Sequence, residues 1–352
     1  MNIIEILENA VRQKASDIFI IAGRPIIFKI NNVFKPMSDR ILDSSETEEA
    51  VALLYENSQG RDFIRVKTKG DDDFSITIRG LSRFRINVYK QRSSLAAIIR
   101  VISFQMPDPD ELGIPPIVMK LSHLRRGLVL VTGTAGSGKS TTLACIIDKI
   151  NRTRHEHIIT LEDPLEYLHK HEMSIVSQRE IMTDTESYVK ALRASLRQAP
   201  DVIFLGEMRD HETISVAMTA AETGHLVFST LHTVGASTTI DRIIDAFPPN
   251  QQSQIRIQLS MVLQAVVSQQ LVPTVDGKIT SAFEIMLVNG AIRNMIRESK
   301  IHQIDSVIHS SANDGMITMD TSLLNLFKQH KITNRTALMY SVNQEMLSKR
   351  MV

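Results

Sequence analysis

Residues 127–140 read GLVLVTGTAGSGKS, an apolar run that breaks into a glycine-rich loop ending in Lys-Ser. The run Gly127–Thr132 does not alternate between apolar and polar residues, so it reads as a strand buried on both faces. Such a strand needs a layer of structure on each side. Glu156–Leu161, Val202–Leu205 and Leu226–Thr230 repeat the type, separated by segments of helical character. Strands of this kind alternating with helices predict an α/β domain built on a parallel sheet covered on both sides.

The loop itself fits the Walker A pattern, G-x-x-x-x-G-K-[ST], from Gly133 to Ser140. Glycines let such a loop turn so that its backbone N–H groups point inward around a phosphate. Gly133, Thr134, Gly136, Ser137, Gly138, Lys139, Ser140 and Thr141 are the candidate contacts to ATP. Lys139 offers a point charge to the β- and γ-phosphates, and the Ser140 hydroxyl a direct ligand to Mg²⁺. The helix expected over Ser140–Ile150 aims its positive end at the same place.

Two further acidic segments follow apolar strands. Asp201-Val-Ile-Phe-Leu-Gly206-Glu207 ends a strand in an acid, which makes Glu207 the candidate base for an attacking water. Gly206 stands where many P-loop ATPases carry a Mg²⁺-holding aspartate, so another acid has to substitute. Leu161-Glu162-Asp163-Pro164-Leu165-Glu166 supplies candidates. Glu162 and Asp163 should emerge at the carboxyl edge of the sheet, where they can organise the waters of the metal. Glu166 reads equally well as a surface acid. His225 and His232 flank the strand after these motifs and are further candidates, although a lone histidine is more often structural.

The rest of the chain sets the frame. Its 352 residues suffice for two domains, and 43% hydrophobic with 22% charged residues is an ordinary globular balance. Lys and Arg number 40 against 39 Asp and Glu, a net +1 that gives no general polycation for nucleic acid or membrane surfaces. Cys145 is the single cysteine, so neither an intrachain disulfide nor a multi-cysteine zinc site is available, and a reduced compartment fits. Met1–Arg12 reads as an amphipathic helix with Ile3, Ile6, Leu7 and Ala10 at helical spacing. Its two acids, with no cleavage site after them, argue against a signal peptide. No apolar run reaches the length of about 18 residues that a membrane span requires.

Asp17–Ile21, Ile26–Ile30, Phe74–Ile78, Arg83–Tyr89 and Ala96–Ile102 read as short strands, and Glu46–Glu56 as a helix, giving a small α+β domain over 1–103. Residues 104–116 are the expected linker. The stretch Gln105–Pro116 holds four prolines in twelve residues, which neither a helix nor a central strand tolerates. The second domain runs over 117–352. From Pro249 onward it is expected to be mostly helical apart from a hairpin at Asp276-Gly277.

In this order the motifs resemble those of the type II/IV secretion ATPase superfamily. Glu162–Tyr167 (EDPLEY) is similar to its aspartate box, Asp201–Asp210 (DVIFLGEMRD) to its atypical Walker B, in which glycine before glutamate is normal, and Thr223–Asp245 to its histidine box. Thr-Ala-Gly after Gly133, where Pro-Thr-Gly is usual, is a small departure that leaves the phosphate contacts in place. Ala291–Glu298 (AIRNMIRE) resembles a motif of the branch that retracts type IV pili, with Met at a Leu position. From its residues alone it is a surface helix capped by Asn289, with Ile292, Met295 and Ile296 opposite Arg293, Arg297 and Glu298.

The resemblance implies a PAS-like domain followed by a RecA-like ATPase domain with C-terminal helices. It implies a homohexamer with ATP and Mg²⁺ between the two domains. It implies basic residues of the first domain, here Arg83, Arg85 and Arg100, neutralising the γ-phosphate, and His232 contacting or sensing it. It further implies an integral-membrane platform protein as partner and a cytoplasmic location at the inner face of the membrane. Three other readings stay open: a pilus assembly or secretion ATPase, a poorly hydrolysing regulatory subunit, and a nucleic-acid translocase. The missing zinc cysteines disfavour the first, intact Glu207 and Lys139 the second, and near-zero charge with 5% aromatics the third.

Overall fold

In the computed structural model, residues 2–30, 33–58, 60–102, 104 and 106–351 are described. Met1, at the head of the expected first helix, lies outside the described residues, as do Ser103 and Gln105 at the expected domain boundary. The chain divides into two compact units, residues 1–105 with 165–168, and residues 106–164 with 169–352.

In the first unit the stripe Ile3, Ile6, Leu7 and Ala10 is buried on α1 (Ile3–Arg12), whose N-terminus is capped by the Asn2 side chain accepting from Glu5 N–H. Next come β1 (Asp17–Ile20), β2 (Ile27–Ile30), β3 (Val33–Pro36), α2 (Ser44–Glu56), α3 (Ile64–Lys69), β4 (Asp71–Ile78), β5 (Ser82–Gln91) and β6 (Ser94–Ile102). Asp43 and Glu46 form a capping box at the start of α2. The strands make one antiparallel sheet in the order β3-β2-β1-β6-β5-β4. Alternation divides its faces: Phe84, Ile86 and Val88 join Leu7, Ala50 and Leu54 in the core, while Arg83, Arg85 and Asn87 lie on the other side. The sequence reading omitted β3 and α3. The first is short and wholly exposed, so no apolar alternation marks it.

The second unit opens with α4 (Pro116–Met119), β7 (Gly127–Thr132), α5 (Lys139–Thr153), β8 (His157–Glu162) and β9 (Ile175–Glu180). Next are α6 (Tyr188–Ser195), β10 (Val202–Leu205), α7 (His211–Glu222), β11 (Leu226–Leu231), α8 (Ala236–Asp245) and α9 (Pro249–Val262). The chain ends with β12 (Leu263–Pro273), β13 (Ile279–Leu287), α10 (Gly290–Arg297), α11 (Ile304–Ser310), α12 (Met319–Lys328), α13 (Asn334–Tyr340) and α14 (Gln344–Met351). The sheet order is β13-β12-β7-β11-β10-β8-β9. Every pairing is parallel except that of β12 with β13. Leu128 and Leu130 of β7 enter one apolar core and Val129 and Val131 the other, as burial on both faces requires.

The four strands read from the sequence pair in parallel as expected, and the structure adds β13 running antiparallel at one edge. One expectation needs correction: the hairpin at Asp276-Gly277 is no small excursion in a helical region. Its arms of 11 and 9 residues extend the central sheet beside β7, and its outer half packs Val272 and Ala282 against Met319, Leu323 and Ala337 of the C-terminal helices. No helix among the described residues is long and apolar enough to cross a membrane.

Candidate functional site

Because β7, β11, β10 and β8 are parallel, their carboxyl ends share one edge. Register aligns Leu231 with Thr132, and Leu205 with Leu161 and Ser229. The loop Gly133–Gly138, Asp163, Gly206-Glu207 and His232 all leave the sheet at that edge.

The loop is shaped by what stands behind it. Gly133 has φ +141°, and a Cβ there would lie 2.2 Å from the carbonyl oxygen of Gln269 on β12. Gly138 has φ +89°, and its Cβ would lie 2.8 Å from Gln269 Nε2. Gly136, at φ +74°, faces open space. Both contacts and left-handed backbone therefore demand glycine at Gly133 and Gly138. The buried Lys139 donates from Nζ to the carbonyls of Gly133 and Thr134 at 2.9 Å each, across the loop. Gly138 is the N-cap of α5 and provides no side-chain cap, and the positive end of that helix lies at the loop. Ser137 Oγ is buried without a protein partner beneath the loop. Glycine turns, a lysine and an uncapped helix N-terminus fit a polyphosphate.

Glu207 is held from two sides. Arg209 donates to Oε1 at 2.5 Å, and His232 Nε2 lies 3.4 Å from Oε2. Its side chain is 12% exposed, while those of Arg209 and His232 are 69% and 60% exposed. The hydrogen bond and charge of Glu207 push the Arg209 guanidinium pKa up. The backbone around Glu207 is tied to β11: Thr230 Oγ1 donates to Gly206 O at 2.6 Å, and Met208 N–H to Thr230 O at 3.2 Å. These groups line a cleft of about 460 Å³ with Thr233 and Arg242.

Glu162 is the buried last residue of β8, and Gln178 Nε2 is 3.5 Å from its Oε1. Asp163 is exposed beside it. Among the described residues no three His, Cys, Asp or Glu side chains form a direct metal cluster. This donor set suits a magnesium ion that keeps most of its waters, with Ser140 as hydroxyl ligand and the carboxylates one shell out.

Tyr188 of α6 was missed in the sequence. A Cβ on Gly206 would meet its hydroxyl at 2.9 Å, Leu161 O at 3.2 Å and Glu162 Cα at 3.4 Å. Burial pushes the phenol pKa up, and the charges of Glu207, Asp163 and Glu162 push it further. Glycine at 206 is thus a matter of space.

His225 requires a correction. Its carbonyl accepts from Gly127 N–H at the amino end of β7, and its ring Nδ1 lies 2.9 Å from Ala220 O. Six residues of strand, at about 3.3 Å each, place it roughly 20 Å from the phosphate edge. It is a structural histidine that closes the end of α7.

In the first unit, Arg85 and Arg100 are cross-strand neighbours, and Arg83 lies two residues along the same face. Arg100 Nε pairs with Asp17 at 3.0 Å, and Arg83 reaches Thr77 Oγ1 at 3.3 Å. In α10 Asn289 caps Ile292 N–H, and Ile292 and Ile296 are buried as expected. Arg293 does not face water alone: it donates to the carbonyls of Ser260 and Met261 at 2.7 and 3.0 Å, closing the end of α9.

A family model described as type II/IV secretion system protein matches residues 1–344. A type IV pilus retractation ATPase, PilT, of Pseudomonas aeruginosa is 42% identical over 96% of this chain and 97% of its own length. A twitching motility protein of Neisseria gonorrhoeae is 47% identical over 78% of this chain and 74% of its own. The crystal structure of the pilus retraction motor PilT with bound ADP shares 46% identity and covers 99% of both chains, with a TM-score of 0.89.

Proposed function

The chain belongs to the type II/IV secretion system protein family, and we propose that within it this chain is the ATP-hydrolysing subunit of a type IV pilus retraction motor. The observation that carries the reading is the meeting, on one sheet edge, of a phosphate loop with Glu207 held between Arg209 and His232. Among the relatives that cover nearly the whole chain are a pilus retractation ATPase and a retraction motor crystallised with ADP.

In this proposal the N–H groups of Gly136 and Gly138 and the first turn of α5 bind the β-phosphate of ATP, and Lys139 turns from the loop carbonyls toward the γ-phosphate. Ser140 would hold Mg²⁺ directly and Glu162 and Asp163 would orient its waters, and the bound ion would supply neutralisation of the phosphate charge. Glu207 accepts a proton from the attacking water at a carboxylate oxygen, which the Arg209 contact keeps aimed. His232, on the other Glu207 oxygen, reports whether the γ-phosphate is present. Arg83, Arg85 and Arg100 supply guanidinium charge to the phosphoryl oxygens. Six copies form a ring at the inner face of the membrane and turn a platform protein as they hydrolyse.

Glu207→Gln keeps the size of the side chain and one acceptor for Arg209, and removes its charge and basicity. Turnover should fall by about 100-fold or more, with binding of a fluorescent ADP analogue unchanged. Normal turnover in that variant removes Glu207 from the mechanism.

A further inference from the structure

Behind the phosphate loop stands a residue that no motif predicted. Gln269, in the middle of β12, is 3% exposed. An amide buried in a strand costs free energy unless it is hydrogen-bonded, and a valine would fill the position more cheaply. The amide's partners explain its presence. Oε1 accepts from the Thr142 hydroxyl of α5 at 2.7 Å, the Gln269 carbonyl backs Gly133, and Nε2 backs Gly138. Its other polar neighbour, Ser281 Oγ on β13, is at 3.5 Å. Apart from Ser281, the hydrogen bond and the close approach of this side chain go to the first turn of the helix after the loop and to the loop itself.

The adjacent residue does a parallel service on the opposite face of the strand. Ser268 Oγ accepts from Gly235 N–H at 2.9 Å, and Glu284 Oε1 of β13 accepts from Ala236 N–H at 2.7 Å. Gly235 and Ala236 follow His232 into α8. One hairpin thus backs both the phosphate loop and the histidine loop.

We propose that Gln269 is a positioning residue for the phosphate loop, holding it through Thr142 and Gly138 in its phosphate-accepting shape before nucleotide arrives. The inference rests on the loop being a nucleotide site. A loop shaped in advance spends less of its binding energy on ordering, so loosening Gln269 weakens affinity for ADP and ATP alike.

The test is titration of the full-length chain with a fluorescent ADP analogue and Mg²⁺, beside thermal unfolding without nucleotide. Gln269→Met and Thr142→Val each keep side-chain volume and remove one end of the hydrogen bond. Each should weaken ADP about tenfold, and the double variant no more than either single one, because both break the same bond. Thr142→Ser, which restores the hydroxyl, should recover the affinity. Single variants that bind within twofold of the parent, whatever their melting temperatures, overturn the proposal, as do effects that add in full. Should Gln269→Met fail to fold, the contrast of Thr142→Val with Thr142→Ser decides alone. A parent chain that binds no ADP overturns the phosphate-site reading itself, and the role of Gln269 with it.

Discussion

Alanine at position 206 tests the geometry around the proposed general base, Glu207, more sharply than removal of that base. Its Cβ would sit 2.9 Å from the Tyr188 hydroxyl and 3.2 Å from Leu161 O. The first distance is too close for any carbon, so Tyr188 or the strand end must move. Overpacking of this kind costs about 1–3 kcal/mol. Losing a glycine from the unfolded chain returns only about 0.4–1 kcal/mol. The clash wins, and Gly206→Ala should be destabilised by about 1–2 kcal/mol, which lowers the melting temperature of a domain this size by roughly 2–8 °C. Turnover should fall as well, because Glu207 is the next residue. Adding Tyr188→Phe removes the hydroxyl and with it the 2.9 Å contact, so the double variant should recover about half of the loss relative to Tyr188→Phe alone. Urea unfolding and ATP turnover of the four proteins complete the cycle. A Gly206→Ala chain as stable and active as the parent, or a loss that Tyr188→Phe leaves untouched, refutes the steric account of this glycine.

Two further outcomes are expected of buried ionisable groups. Burial, with a smaller contribution from Arg152, lowers the His169 pKa from the ordinary 6.5 to about 4. Between those values the unfolded chain binds a proton that the folded one refuses, so stability is full above pH 6.5 and falls as the pH drops toward 4. His169→Gln should flatten urea midpoints across that window, and parallel curves for parent and variant would exclude His169 as their source. Glu284 serves two helix N-termini at once, accepting from Ala236 N–H at 2.7 Å and Met319 N–H at 3.2 Å. Only a carboxylate offers two acceptors there, so Glu284→Gln should set an NH₂ against one donor and cost about 1–3 kcal/mol in urea unfolding. A neutral substitution would mean that neither cap matters.

The phosphate loop was legible because strand, glycines, lysine and helix are each forced by one task, and β10 was read to the residue because a four-residue apolar strand flanked by Pro200-Asp201 and Gly206 has no other reading. Gly206 itself was legible as an oddity whose cause lay elsewhere, since Tyr188 reaches it only in three dimensions. Gln269 and Glu284 were invisible for a related reason: a glutamine or glutamate inside a strand carries no periodic signal, and the apolar residues of Leu263–Pro273 continue directly from the helix before them. β9 went unread because IVSQRE has only two apolar residues and sits at the sheet edge. The error on His225 was avoidable. In a parallel sheet the residue before a strand and the residue after it lie at opposite edges, and only the latter can reach a loop that follows a neighbouring strand.

The far oxygen of Glu284, on Met319 N–H, has a consequence for deletion mapping. Gln270 Nε2 reaches Tyr340 O at 3.3 Å, and the Asp320 carboxylate accepts from Val342 and Asn343 N–H at 2.7 and 3.0 Å. The last helices are thereby stitched to the hairpin that packs behind the Gly133–Gly138 loop and behind Gly235-Ala236. A chain shortened before residue 319 would strip a buried carboxylate of one donor and bare Val272 and Ala282. Loss of hydrolysis in such a truncation would follow from the loosened hairpin alone, so it would not by itself map where a partner binds.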